Sequence, residues 1–311
     1  MSRTKTKPLL LVALGGNALI RPGETGTAEE QLTNLQMPMR QLAGLADSYR
    51  LIITHGNGPQ VGNLLLQQEC APEVPRLPLE ILVAQTQGQI GYMIESTLDA
   101  ALAEAGLKKN LVSLISYVVV DEHDPAFIRP TKPIGPCYSA ERAAALPFPT
   151  VATPCGFRRV VASPQPLTVV EKEEIRRLVE MDFIVTCCGG GGIPVIREGR
   201  AFHGVDAVVD KDLASACLAA GIGVDIMVIA TDVPGVALGF GTPDERYLDR
   251  MTLADARRLL ATGQLPAGSM GPKVEAMTRF LDSGGKRGAI CHLDRIAAAV
   301  AGEAGTQFIG D

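Results

Sequence analysis

Leu9-Leu10-Leu11-Val12-Ala13-Leu14-Gly15-Gly16-Asn17-Ala18 runs from an apolar hexamer straight into paired glycines, and its reading decides the fold. Six apolar residues without alternation suit a buried strand of a sheet covered by helices on both faces. The same break recurs twice. Residues 51–54 lead into His55-Gly56-Asn57-Gly58-Pro59-Gln60, and 183–186 into Cys187-Cys188-Gly189-Gly190-Gly191-Gly192-Ile193-Pro194. Glycine tolerates positive φ and close backbone approach, so a strand ending this way can turn bare N–H groups toward an anion. Three such turns in one chain suggest a single site built around phosphate.

Outward from these turns, apolar runs alternate with amphipathic segments. Strands are expected at 9–14, 50–54, 111–120, 183–186, 225–230, 289–292 and 306–309, with a short one at 236–238. Helices are expected at 28–46, 60–68, 79–105, 170–180, 210–220, 253–261, 271–283 and 293–301, and a hairpin at 195–202 turning at Glu198-Gly199. The pattern defines an α/β protein with an open, mainly parallel sheet sandwiched between helices. Residues 121–166 interrupt it with prolines at 125, 130, 133, 136, 147, 149, 154, 164 and 166. A structureless loop of that length does not suit a compact domain, so the segment reads as an inserted Pro-rich subdomain, a hairpin or lid.

Composition narrows the function. The 311 residues suffice for one large domain or two lobes, 46% are hydrophobic, and the net charge of −5 opposes a nucleic-acid module. The seven cysteines have no C-x-x-C spacing and read as core and loop thiols of a reducing compartment. The four histidines lack metal-ligand spacing, and no residue stands out as a metal ligand. Leu9–Leu14 is short for a signal peptide, despite the basic start Met1-Ser2-Arg3-Thr4-Lys5-Thr6-Lys7, and no run matches a membrane span. The expected location is the cytoplasm.

The common nucleotide fingerprints fail. Gly285-Lys286 precedes Arg287 and position 280 is Phe, which excludes G-x-x-x-x-G-K-[ST]; no G-x-G-x-x-G occurs either. Three lysines offer another chemistry. Lys132 lies in Pro130-Thr131-Lys132-Pro133-Ile134-Gly135-Pro136, Lys273 follows Gly271-Pro272, and Lys211 stands between Asp210 and Asp212, which could orient it. Phosphoryl transfer asks mainly for positioning and positive charge, and lysines beside glycine loops provide both.

Together, Ala13-Leu14-Gly15-Gly16-Asn17-Ala18, His55-Gly56-Asn57-Gly58-Pro59-Gln60-Val61-Gly62-Asn63, Pro130-Thr131-Lys132-Pro133-Ile134-Gly135-Pro136, the glycine run and Asp210-Lys211-Asp212 resemble the carbamate kinase family of the amino-acid-kinase superfamily. The resemblance runs from about Leu9 to the C-terminus. It implies an α/β/α sandwich, usually homodimeric, with an acceptor-binding N-terminal lobe (1–215, including the lid at 121–166) and a nucleotide-binding C-terminal lobe (216–311). It also implies the reaction ADP + carbamoyl phosphate ⇌ ATP + carbamate with Mg2+.

Many superfamily relatives carry a lysine where this chain has Ala13; carbamate kinases use the inserted lysine instead. On that resemblance Lys132, Lys211 and Asp212 are catalytic, and Gly15, Gly16, Asn17, Gly56, Asn57 and Gly58 bind the acceptor and phosphoryl group. Lys211, Thr231, Asp232, Met270 and Lys273 face ATP or ADP. His55 is expected to bond a loop carbonyl. Two rival readings are a kinase of another small carboxylate, forming an acyl phosphate, and a ligand-sensing protein that kept the fold without catalysis.

Overall fold

The computed structural model describes residues 7–310 except 22, 72, 154 and 267, so Met1 to Thr6 and Pro154 lie outside it. Eight strands form the main sheet, in the order Arg250–Thr252, Thr306–Ile309, Arg287–His292, Ile226–Thr231, Leu9–Leu14, Arg50–His55, Phe183–Thr186, Asn110–Ser113. Neighbours pair in parallel except Arg287–His292 with Thr306–Ile309. Leu9–Leu14 is central and buried throughout, as an unalternating apolar strand must be.

Its side chains divide by the period of two. Leu9, Leu11 and Ala13 join a core with Ile175, Ala214, Leu218, Val274 and Phe280 from helices Lys172–Glu180, Lys211–Ile222 and Met270–Asp282. Leu10, Val12 and Leu14 join Leu35, Met39, Ile90, Ile94 and Ile296 from helices Ala28–Leu45, Leu79–Glu104 and Ile296–Ala301. Helices therefore cover both faces, and the C-terminal ends of the parallel strands share one open edge. Among the described residues no helix is long and apolar enough to cross a membrane.

Four expectations change. The single strand expected at 111–120 is two. Asn110–Ser113 lies in the main sheet, whereas Tyr117–Val119 joins a second sheet with Thr168–Val169, Ile193–Glu198 and Ala201–Gly204. The break falls where Ser116 donates its N–H to Gln87 Oε1 (2.9 Å) and accepts from Ile193 N–H (2.8 Å), long-range partners that an apolar run does not reveal. The helix expected at 293–301 opens as a 3-10 turn, Leu293–Arg295.

The inserted segment is more than a hairpin. Gly156–Val161 is the middle strand of an antiparallel sheet, flanked by Lys132–Tyr138 and Thr150–Thr153. This small sheet lies against helix Gly58–Cys70. A Cβ on Gly62 would stand 3.4 Å from Gly135 Cα, and Ile134 and Val161 share an apolar cluster with Val61, Leu79, Leu82 and Val208. Tyr138 OH donates to Glu69 Oε1 at 2.6 Å.

The fourth change concerns the cysteines. Cys137 and Cys155 form a disulfide, Cα–Cα 5.9 Å, because strand pairing brings Cys137 beside the turn that precedes Gly156. The expectation of thiols alone rested on spacing along the chain, which carries no trace of that pairing. Cys70, Cys187, Cys188, Cys217 and Cys291 are free. Thiol titration of the unfolded protein is expected to count five thiols before reduction and seven after; seven in both would refute the pairing.

Candidate active site

The glycine turns sit where the ladders of the main sheet run out. Gly15 N–H donates to Ala230 O (2.8 Å), Gly56 N–H to Leu14 O (3.0 Å) and Cys187 N–H to Ile53 O (2.9 Å). Thus Gly15 and Gly56 continue the sheet, and their N–H groups are taken up by it. A Cβ on Gly56 would lie 3.2 Å from Gly16 N and 3.3 Å from Lys211 Cδ, so glycine permits the first two turns and the lysine to meet. Helix Gly58–Cys70 starts here, and its opening N–H groups have no intrahelical carbonyls to bond.

The four-glycine run is a packing device. Gly190 has φ +66°, and a Cβ there would fall 2.2 Å from Asn57 Nδ2; on Gly191 it would fall 2.1 Å from Val209 O. Gly191 and Gly192 donate back to Cys188 O and Gly189 O inside a 3-10 turn. The run therefore wedges bare backbone between the second turn and the segment leading to Lys211. Gly189 also covers His55, whose ring would lie 2.5 Å from a Cβ at that position. His55 Nδ1 donates to Gly56 O at 3.0 Å, as expected, since a carbonyl can only accept. Burial pushes its pKa down to about 4, with the nearby Lys211 ammonium acting in the same sense.

Helix Lys211–Ile222 carries the centre of charge. Asp212, 2% exposed, receives Lys211 Nζ on Oδ1 and Lys273 Nζ on Oδ2, the latter at 2.9 Å. Burial alone would raise the Asp212 pKa, but the two ammonium groups outweigh it and hold the carboxyl well below the usual range. Burial, with repulsion from Lys273, lowers Lys211. For Lys273 burial is opposed and outweighed by Asp212, and its pKa rises. Lys132 reaches the same place from the inserted sheet, with Nζ 2.8 Å from Asp210 Oδ2. The acid between Lys132 and the helix is therefore Asp210, while Asp212 holds Lys211. Sequence adjacency suggested that both acids would serve Lys211.

These groups enclose a cleft of about 230 Å3 bordered by Gly16, Gly56, Asn57, Gly58, Lys132, Gly190, Lys211, Asp212 and Lys273. Asn57 Nδ2 donates to Thr86 Oγ1 at 2.9 Å. Gly15 stands one residue behind the cleft, and the side chain of Asn17 lies outside what the structure describes. Gly268 and Ser269 also line the cleft, and Ser269 leads into a neighbouring apolar slot with Asp232, Val233, Ala237, Phe240 and Met270. Thr231 ends the strand beside Gly15 and donates to Asp232 Oδ1 at 3.0 Å. Ser269 and the slot's Phe240 were missed as site residues, and Asp210 was read only as a neighbour orienting Lys211. Only Asp210 carried a signal, as an acid directly before an apolar helix.

Strand ends, helix N-termini and three ammonium groups converging on one cleft define a phosphate-handling α/β enzyme. Residues 8–292 match the profile of the amino acid kinase family, and the chain belongs to that family. Within it, the chain is similar to the carbamate kinase of Thermococcus kodakarensis, 44% identical over 310 residues and covering 96% of this chain and 98% of that one. It is 40% identical to the carbamate kinase of Clostridium perfringens, covering 96% and 99%. The solved structure of carbamate kinase from Giardia lamblia bound to AMP-PNP superposes with a TM-score of 0.91 at 37% identity, covering 98% of this chain and 99% of that one.

Neutral, buried His55 makes stability depend on pH. Its folded pKa is depressed from 6.5 to about 4, so the unfolded chain takes up the proton first. Its contribution is complete above pH 6.5 and is lost as pH falls toward 4, by on the order of 3 kcal/mol. Denaturant unfolding between pH 7 and 5 is expected to show this slope in the wild type and a flatter one in His55→Gln, whatever the absolute stability of the variant.

Proposed function

We propose that this chain is a carbamate kinase, catalysing ADP + carbamoyl phosphate ⇌ ATP + carbamate, with Lys132, Lys211 and Lys273 carrying the transfer. The observation behind this reading is the shared Asp212 carboxylate, which gathers two buried ammonium groups where the glycine turns end. Lys132 joins the same cleft from the inserted sheet. A β-phosphate oxygen of ADP attacks the phosphorus of carbamoyl phosphate; the phosphorus–oxygen bond to carbamate breaks, and carbamate leaves as an anion. No proton moves, so no general base is needed. Neutral His55 can then remain structural.

The lysines stabilise the negative charge spread over the transferring group. In this reading Lys132 reaches the phosphoryl oxygens from the lid, Lys211 from the sheet side, and Lys273 contacts the nucleotide phosphates. Asp212 orients the lysines. Gly16, Asn57 and Gly58, with Gly15, Asn17 and Gly56 shaping their turns, receive carbamate. The slot at Asp232 and Met270, just after Thr231 in the chain, takes the nucleoside; the Giardia relative binds the nucleotide AMP-PNP.

Among the described residues no group of three or more His, Cys, Asp or Glu is gathered that could hold a metal ion. Asp212 is already saturated by ammonium groups. Mg2+ therefore fits as a companion of the nucleotide, held mainly by phosphate oxygens and water, where it would spread the phosphate charge. The working arrangement is an acceptor lobe over residues 1–215, a nucleotide lobe over 216–311, the 121–166 insertion as a lid, and a homodimer.

ATP formation from ADP and carbamoyl phosphate, compared with phosphorylation of an amino-acid panel, tests the reaction; absence of the first activity refutes it. Lys211→Ala is expected to lower kcat by on the order of a hundredfold or more. Near wild-type turnover would remove that lysine from the transfer. Lys132→Ala is expected to impair kcat as well, whereas a purely structural lid would leave it intact.

A further inference from the structure

Asp210 binds two elements at once. Its Oδ1 accepts from the N–H groups of Asp212 (2.9 Å) and Leu213 (3.4 Å), capping helix Lys211–Ile222, while its Oδ2 accepts from Lys132 Nζ at 2.8 Å. The preceding residues stitch the inserted sheet to the same segment. Asp206 takes Arg159 Nη2 at 2.9 Å, and Val208 N–H donates to Ala162 O at 3.0 Å. Alternate residues 206, 208 and 210 thus meet the insertion, and the last meets its lysine. A carboxylate fixed at both oxygens sets the offset between Lys132 on the insertion and Lys211 on the helix.

We infer that Asp210 is a positioning residue for phosphoryl transfer, holding the Lys132 ammonium in register with the helix that bears Lys211 and Asp212. The inference rests on the transfer role proposed for Lys132. An acid beside a phosphate site otherwise works against anion binding, and helix capping alone could be served by a neutral serine or asparagine. The Asp210 charge is also felt by Lys211 and Lys273, but the one ammonium it holds in a direct ion pair is that of Lys132. A small misplacement of a reacting group costs far more rate than stability.

Asp210→Asn and Asp210→Ser each keep a cap and remove the charge. Both are expected to melt close to the wild type, yet lose roughly tenfold or more in kcat. In a Lys132→Ala background, Asp210→Asn is expected to change kcat by less than about twofold, the signature of two residues acting as one. If Lys132→Ala leaves no measurable turnover, amide exchange gives the reading instead: Asp210→Asn is expected to exchange faster over Lys132–Tyr138 and unchanged over Lys211–Ile222. The proposal is overturned by wild-type kcat in both Asp210 variants, by equal losses in both backgrounds, by unchanged exchange in the strand, or by recovery of kcat on raising Mg2+, which would make Asp210 a metal partner. A wild-type protein that forms no ATP would instead refute the reaction itself.

Discussion

A buried carboxylate shared by two ammonium groups is the constraint around which this site is arranged. Two like charges do not settle side by side in a protein interior without a partner, and Asp212 provides one oxygen for each. For that to work, helix Lys211–Ile222 must begin at the open edge of the sheet, and helix Met270–Asp282 must deliver Lys273 to the same point. Both requirements follow from parallel strands whose C-terminal ends line one edge. The site is therefore a property of the sheet before it is a property of any loop.

The glycines make this arrangement compact. Gly56 lets the second turn close on Gly16 and Lys211, and Gly190 and Gly191 let a third turn fill the gap between Asn57 and Val209. The four-glycine run draws the eye as a phosphate cradle, yet its Cβ positions are occupied by the protein itself. Two kinds of glycine loop thus stand side by side, one opening a cleft and one sealing its wall.

Much of this was legible in the chain. Leu9–Leu14 announced a buried central strand because six apolar residues without alternation have few other homes, and the helices on either face followed from their periodicity. Lys132, Lys211 and Lys273 were legible as a set, with prolines beside Lys132 and Lys273, acids beside Lys211 and family resemblance pointing the same way. What stayed hidden depended on contacts distant in sequence. Asp210 sits next to Lys211, yet its ion-pair partner is 78 residues away. Ser116 interrupts a β-branched run because Gln87 and Ile193 claim its backbone. Cys137 and Cys155 meet through strand pairing that no spacing rule encodes.

The contact of Gly62 with Gly135 has a mechanical consequence. At Gly62 and Gly135 backbone faces backbone, and beside that point Val61 of helix Gly58–Cys70 packs with Ile134 and Val161 of the inserted sheet. The pose of the sheet is fixed further by Tyr138 on Glu69, Lys132 on Asp210, Arg159 on Asp206 and the Val208 N–H on Ala162 O. These ties draw on two separate stretches of chain, so the place of Lys132 is set jointly by helix Gly58–Cys70 and by residues 206–210.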